Sequence, residues 1–174
     1  MTKNAHQGPE TAEQVDLDQF APPEFLLAKL NSGIRDLMNT ALRPHGLKLV
    51  EWRLLQCLIH ADEPRTVAEL AELTVIDRTV ASRLIDKMAA RGLVTKQAMA
   101  QDRRFVSVTV SDAGRAAYKQ SSEAARDARQ RLFGGLGAED IEHLLDMLAV
   151  MNANAEHPLR QVLPYQRSKR VSGG

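Results

Sequence analysis

Apolar residues recur at threes and fours along most of the chain, and the period changes once, near residue 93. PEFLLAKLNSGIRDLMNTAL places Phe25, Leu26, Leu30, Ile34, Leu37, Met38 and Leu42 on one helical face, behind a proline pair suited to a first turn. Pro44 and Gly46 interrupt it. KLVEWRLLQCLIHA predicts a second helix with Val50, Leu54, Leu55, Leu58 and Ile59 inward. Thr66, followed three residues later by Glu69, reads as a capping box opening a short helix over 67–73, with Val67, Leu70 and Leu73 inward. Thr74, Val75 and Ile76 form a turn. Asp77 then caps a helix running to about Arg91, with Val80, Leu84, Ile85 and Met88 facing the core. Gly92 ends it.

The alternating, β-branched segments 93–96 and 105–110 predict a hairpin whose tip is QAMAQDRR. Ser111 caps a long helix with Ala116, Ala117, Ala124, Ala128 and Leu132 on its small-residue face. Gly134 and Gly135 break it. A last amphipathic helix covers 138–156, with Ile141, Leu144, Leu145, Leu148 and Met151 as its stripe. The resulting expectation is a mainly α fold with a small β-hairpin wing. Residues 1–20 form a mobile N-terminal segment, 21–47 an N-terminal dimerisation helix and 48–110 a winged helix-turn-helix DNA-binding domain. Residues 111–163 form C-terminal dimerisation helices, and 164–174 a basic tail.

Composition narrows the classes of function. The 174 residues carry one cysteine, Cys57, so an intrachain disulfide is excluded and a cytoplasmic location is expected. Aromatics make up 4%, too few for a base-stacking platform. His45, His60, His143 and His157 show no ligand-like spacing, so neither a metal nor another cofactor is expected. There is no Gly-rich phosphate loop and no nucleophile–base arrangement, so no catalysis is expected.

The net charge of +1 does not by itself suggest nucleic acid, but its distribution does. Arg78, Arg83, Lys87, Arg91, Lys96, Arg103 and Arg104 crowd the central segment, whereas 138–157 carries acidic residues and no Lys or Arg. The second of two helices joined by a short turn enters a major groove. Arg78, Thr79, Ser82 and Arg83, near its start, are the candidates for base readout. Lys87 and Arg91 lie further along and suit phosphate. Asp102-Arg103-Arg104 at the hairpin tip supplies an arginine for the minor groove and a carboxylate to orient it.

EWRLLQCL at 51–58, TVAELAEL at 66–73, RTVASRLIDKMAARGLV at 78–94, DRR at 102–104 and VSDAGRA at 110–116 resemble, in order and spacing, the MarR family of bacterial regulators. That resemblance implies a homodimer with interlocked terminal helices. It also implies two winged modules on a pseudo-palindromic double-stranded operator, and repression relieved by a small, often anionic aromatic, ligand or its CoA thioester. Two positions depart from the family pattern. Ala98, Met99 and Ala100 stand where members often carry charge and proline, and Lys48 stands where a small hydroxyl residue caps the second helix.

The terminal helices carry more apolar residues than a small winged module covers. Leu26, Leu30, Leu132, Phe133, Leu144, Leu145, Leu148, Met151, Leu159 and Val162 are therefore candidates for burial against a partner copy. For an effector, Arg35, Met38, Trp52, Arg53 and His60 are the candidate contacts, with either arginine pairing a carboxylate and Trp52 forming an apolar wall. Each also has a plain structural reading: Trp52 as a core anchor, Arg53 in an internal ion pair, His60 at a helix end. Two other functions stay open at this point, a redox sensor acting through Cys57 and a winged module that binds protein.

Overall fold

The computed structural model describes residues 22–98 and 106–155. The termini and the wing tip, with Asp102, Arg103, Arg104, Leu159 and Val162, lie outside the described residues. Helix α1 spans Pro23–Leu42 and is followed by a 3-10 turn, Arg43–His45. Helix α2 covers Leu49–Ile59, strand β1 Arg65–Thr66, α3 Val67–Thr74 and α4 Arg78–Ala90. Strands β2 (Val94–Ala98) and β3 (Val106–Val110) form the wing, and α5 (Asp112–Leu132) and α6 (Ala138–Asn154) complete the chain.

The wing strands pair antiparallel with Val94 opposite Val110, Lys96 opposite Val108 and Ala98 opposite Val106. The two-residue β1 adds to the other edge of β3, giving the order β1-β3-β2. Around this sheet lies one apolar core. Leu42, Leu54, Leu55, Leu70, Ile85, Met88 and Val108 are buried at its centre.

The capping chemistry is as the side chains dictate. Thr66 Oγ1 accepts from the Glu69 N–H, and Glu69 Oε2 accepts from the Thr66 N–H at 2.7 Å. Thr66's backbone N–H, ahead of its hydroxyl and Arg65, holds the Glu69 carboxyl below its usual range. Ser111 Oγ accepts from Gly114 N–H at 3.0 Å, capping α5. Lys48, whose ammonium has no lone pair, cannot accept at the start of α2. Glu51 Oε2 accepts the Lys48 N–H at 2.9 Å, and Asn39 Oδ1 of α1 accepts the Leu49 N–H at 2.8 Å. The missing hydroxyl cap is thus replaced from within α2 and from a neighbouring helix.

Gly114 sits where α5 passes under the turn after α4. A Cβ there would lie 2.1 Å from the Leu93 carbonyl oxygen, so no other residue fits without a backbone shift.

Three expectations are corrected. Val80 is 52% exposed, and the inner face of α4 is Ala81, Ile85 and Met88 with Leu84 half-buried. The buried face of α5 is Gly114, Ser121, Ala125 and Ala128; Ala116 is exposed and Ala124 only half-buried. Ile85 and Met88 of α4 and Ala128 of α5 are buried as expected, so each stripe differs at one edge, with Ala81 in place of Val80 and Ala125 in place of Ala124. The turn before α4 is also shorter than expected, because Thr74 is the last residue of α3 and Val75 alone takes a left-handed conformation, φ 55°.

Candidate functional site

Two places concentrate chemistry: the outer face of α4 and a cavity between α2, α5 and α6.

Helix α4 starts on Asp77, whose Oδ1 accepts from Thr79 N–H at 2.7 Å and from Val80 N–H at 3.2 Å. The Val80 and Thr79 N–H groups hold that carboxyl below its usual range. With Ala81, Ile85 and Met88 anchored inward, the same helix leaves Arg78, Thr79, Arg83 and Lys87 exposed and Ser82 half-buried. Val80 joins them on the outer side, an apolar residue among donors. Its exposure was missed because the 80-84-88 spacing satisfies a helical stripe as well as the true 81-85-88 does. Asp86, on the wing side of α4, forms an ion pair with Lys96 of β2, which ties the hairpin to the helix.

Arg91 does not share the free outer position of these side chains. Its Nη1 donates to Glu51 Oε1 at 2.8 Å and its Nη2 to the Gly46 carbonyl at 2.5 Å. The Arg91 side chain is thus tied to its own fold while remaining 43% exposed. The pair forms because the buried Glu51 carboxylate, taken out of water, must be paired.

The cavity encloses about 450 Å³. Trp52 and Gln56 of α2, Tyr118, Ser122, Ala125, Arg126, Arg129 and Gln130 of α5, Phe133 and Ile141 line it. Trp52 and Tyr118 are stacked, with ring centroids 5.1 Å apart and planes 24° from parallel. Trp52 is buried, and its Nε1–H has no hydrogen-bond partner among the described residues. Burial pushes the Tyr118 phenol up, against the pull of its hydrogen bond with Gln56. The wall thus combines flat apolar rings, a buried donor and two guanidinium groups.

Of the five effector contacts expected from sequence, only Trp52 lines this cavity. Met38 is a core residue, 4% exposed. Arg35 is exposed on α1 and bonds Ser32 Oγ at 3.3 Å. Arg53 is exposed, one residue and about 100° around α2 from Trp52. His60 caps the end of α2, its Nδ1 donating to the Gln56 carbonyl at 2.8 Å. The α5 residues were missed, although 118, 122, 125, 129 and 133 repeat at threes and fours, because that helix was read only as a small-residue face. Cys57 is buried, and that burial pushes its thiol up, opposite to what a sensing thiolate requires. Among the described residues no cluster of His, Cys, Asp or Glu could hold a metal ion, and no helix is long and apolar enough to cross a membrane.

Residues 45–104 match the model of the MarR family. Among solved structures, the chain is similar to a mutant MarR from E. coli complexed with operator DNA, at TM-score 0.70 and 22% identity, covering 79% of this chain and 99% of that one. It is similar to CouR from Rhodococcus jostii RHA1 bound to p-coumaroyl-CoA, at TM-score 0.67 and 21% identity over 79% of this chain and 95% of the other. A probable transcriptional regulator from Pseudomonas aeruginosa gives TM-score 0.68 and 26% identity over 78% and 99%. These likenesses establish the shared winged-helix fold.

Proposed function

We propose that this chain, whose residues 45–104 match the MarR family model and whose fold is that of MarR-family regulators, binds a pseudo-palindromic double-stranded operator as a homodimer and represses until a small anionic aromatic ligand, or its CoA thioester, releases it. The observation that carries the DNA reading is α4 itself. One side is locked into the core by Ala81, Ile85 and Met88, and the other presents Arg78, Thr79 and Arg83 to solvent at the helix start. Arginine forks suit guanine O6 and N7, threonine and Ser82 serve several bases, and the exposed Val80 suits a thymine methyl group. Lys87, later on the same helix, suits phosphate, as do Arg103 and Arg104 with Asp102 at the wing tip.

The dimer reading rests on apolar surface. Phe25, Leu26 and Leu30 of α1 and Leu145, Leu148 and Met151 of α6 are exposed, apolar surface of the kind that marks a protein interface. In this reading 21–47 and 111–163 join two copies, and 48–110 reads DNA. The neighbour bound to operator DNA and the neighbour bound to p-coumaroyl-CoA support the two halves of the reading. For the ligand, the cavity supplies an apolar stack and Arg126 and Arg129 for a negative group. The ligand would favour a state in which the recognition helices fit DNA less well.

Selection from a randomised duplex pool by the wild-type protein, followed by titration of the selected site, tests this. Arg78→Ala and Arg83→Ala should each lose roughly 1–3 kcal/mol of discrimination at one base position in each half-site. A wild-type protein that selects no sequence would sink the assignment and favour a protein-binding role for the winged module.

A further inference from the structure

A continuous set of polar contacts runs from α1, through the start of α2, to the end of α4. Asn39 of α1 accepts the Leu49 N–H at 2.8 Å. Glu51, one turn on, accepts the neighbouring Lys48 N–H through Oε2 at 2.9 Å. Its other oxygen, Oε1, takes Arg91 Nη1 at 2.8 Å, across 40 residues of chain. Arg91 Nη2 closes the loop on the Gly46 carbonyl at 2.5 Å. Gly46 has φ 68°, and that left-handed turn places its carbonyl within the arginine's reach. Glu51 is 6% exposed, so its carboxylate depends on these donors.

Arg91 is the C-cap residue of the recognition helix. We propose that Arg91 is a positioning residue for DNA reading. Bonded to Glu51 and Gly46, it fixes the far end of α4 to the joint between α1 and α2, so that the angle of the recognition helix follows the dimerisation helix. The inference rests on the DNA-binding reading above and adds the route by which a movement of α1 reaches the bases. A planar guanidinium whose two donors reach different acceptors suits the task, since it fixes direction as well as distance. Lysine would supply a point charge and one contact.

Three roles for Arg91 separate on measurements with the full-length protein. Nonspecific binding is electrostatic and insensitive to helix angle, whereas operator binding needs side chains registered on base edges. A positioning role predicts that Arg91→Gln and Glu51→Gln each lower affinity for the selected operator about tenfold. Affinity for a scrambled duplex, and the slope of log affinity against log salt, should stay unchanged. The double variant should lose no more than either single one, because the two residues act through one contact. Arg91→Lys should restore only part of the affinity.

If Arg91→Gln weakens both duplexes and lowers the salt slope by about one, while Glu51→Gln has no effect, Arg91 is a phosphate contact and the proposal falls. If both variants lower the melting temperature but keep the ratio of operator to scrambled affinity, the bridge only stabilises the fold, and the proposal falls again. A wild-type chain that distinguishes no operator removes the DNA reading and this inference together.

Discussion

Helices α4 and α6 carry similar apolar repeats and meet opposite fates. In α4 the stripe closes against its own chain, with Ala81, Ile85 and Met88 at 0%, 1% and 0% exposure. In α6 no residue is buried, and Leu145, Met147, Leu148, Val150 and Met151 all stand exposed. An amphipathic period states that a face is to be buried; it does not state by what. The module proposed to read DNA is finished within one chain. The helices proposed to join two such modules are left open, as they must be if a second copy completes them.

The sharpest way to break that contrast is to charge the open face. Leu145→Asp combined with Leu148→Asp should halve the mass seen by sedimentation and cut operator affinity by at least about 100-fold, since two linked half-sites bind far better than one. The isolated fold should survive, because neither side chain is buried in its own chain. An unchanged mass would show that α6 is not the dimer face.

Next in size is truncation on the closed face. Ile85→Ala should cost about 2–5 kcal/mol of unfolding free energy in urea, and the loss should not depend on protein concentration. A loss under 1 kcal/mol would mean that the α4 stripe is not a packed core.

The smallest effect concerns the start of α4. The Val80 and Thr79 N–H groups hold the Asp77 carboxyl below its usual range in the folded protein, so its ionisation favours folding above the ordinary carboxylate range, and the contribution disappears as pH falls through the lowered folded value. Asparagine caps a helix without a charge. The stability difference between wild type and Asp77→Asn should therefore be constant above about pH 5 and shrink in acid. A difference that ignores pH down to about 2.5 would remove the charged cap.

The parts legible in the sequence were those set by neighbours along the chain. Thr66 with Glu69, Asp77, Gly92 and Ser111 marked helix ends because capping is chemistry within four residues. The parts that were not legible depend on contacts across the fold. Strand β1, just Arg65 and Thr66, has no period and exists because β3 offers an edge. Arg91 looks like its neighbours in charge, and its pairing with Glu51 depends on an approach across 40 residues of chain. The edges of the α4 and α5 stripes, Ala81 rather than Val80 and Ala125 rather than Ala124, depend on packing because a period of 3.6 leaves adjacent positions almost equally regular. The cavity was legible at Trp52 alone, because its other wall comes from α5, some 70 residues later.

The stacked Trp52–Tyr118 pair has one more consequence. Trp52 is the sole tryptophan in the chain, so all indole emission comes from the cavity wall. A compound that slides against that ring, or takes up its N–H, changes the spectrum of the whole protein with no label attached. Tyr118, 5.1 Å away, is well placed to pass its own excitation to the indole. The proposed effector cavity thus carries its own optical reporter, and candidate effectors can be ranked by fluorescence before any operator is known.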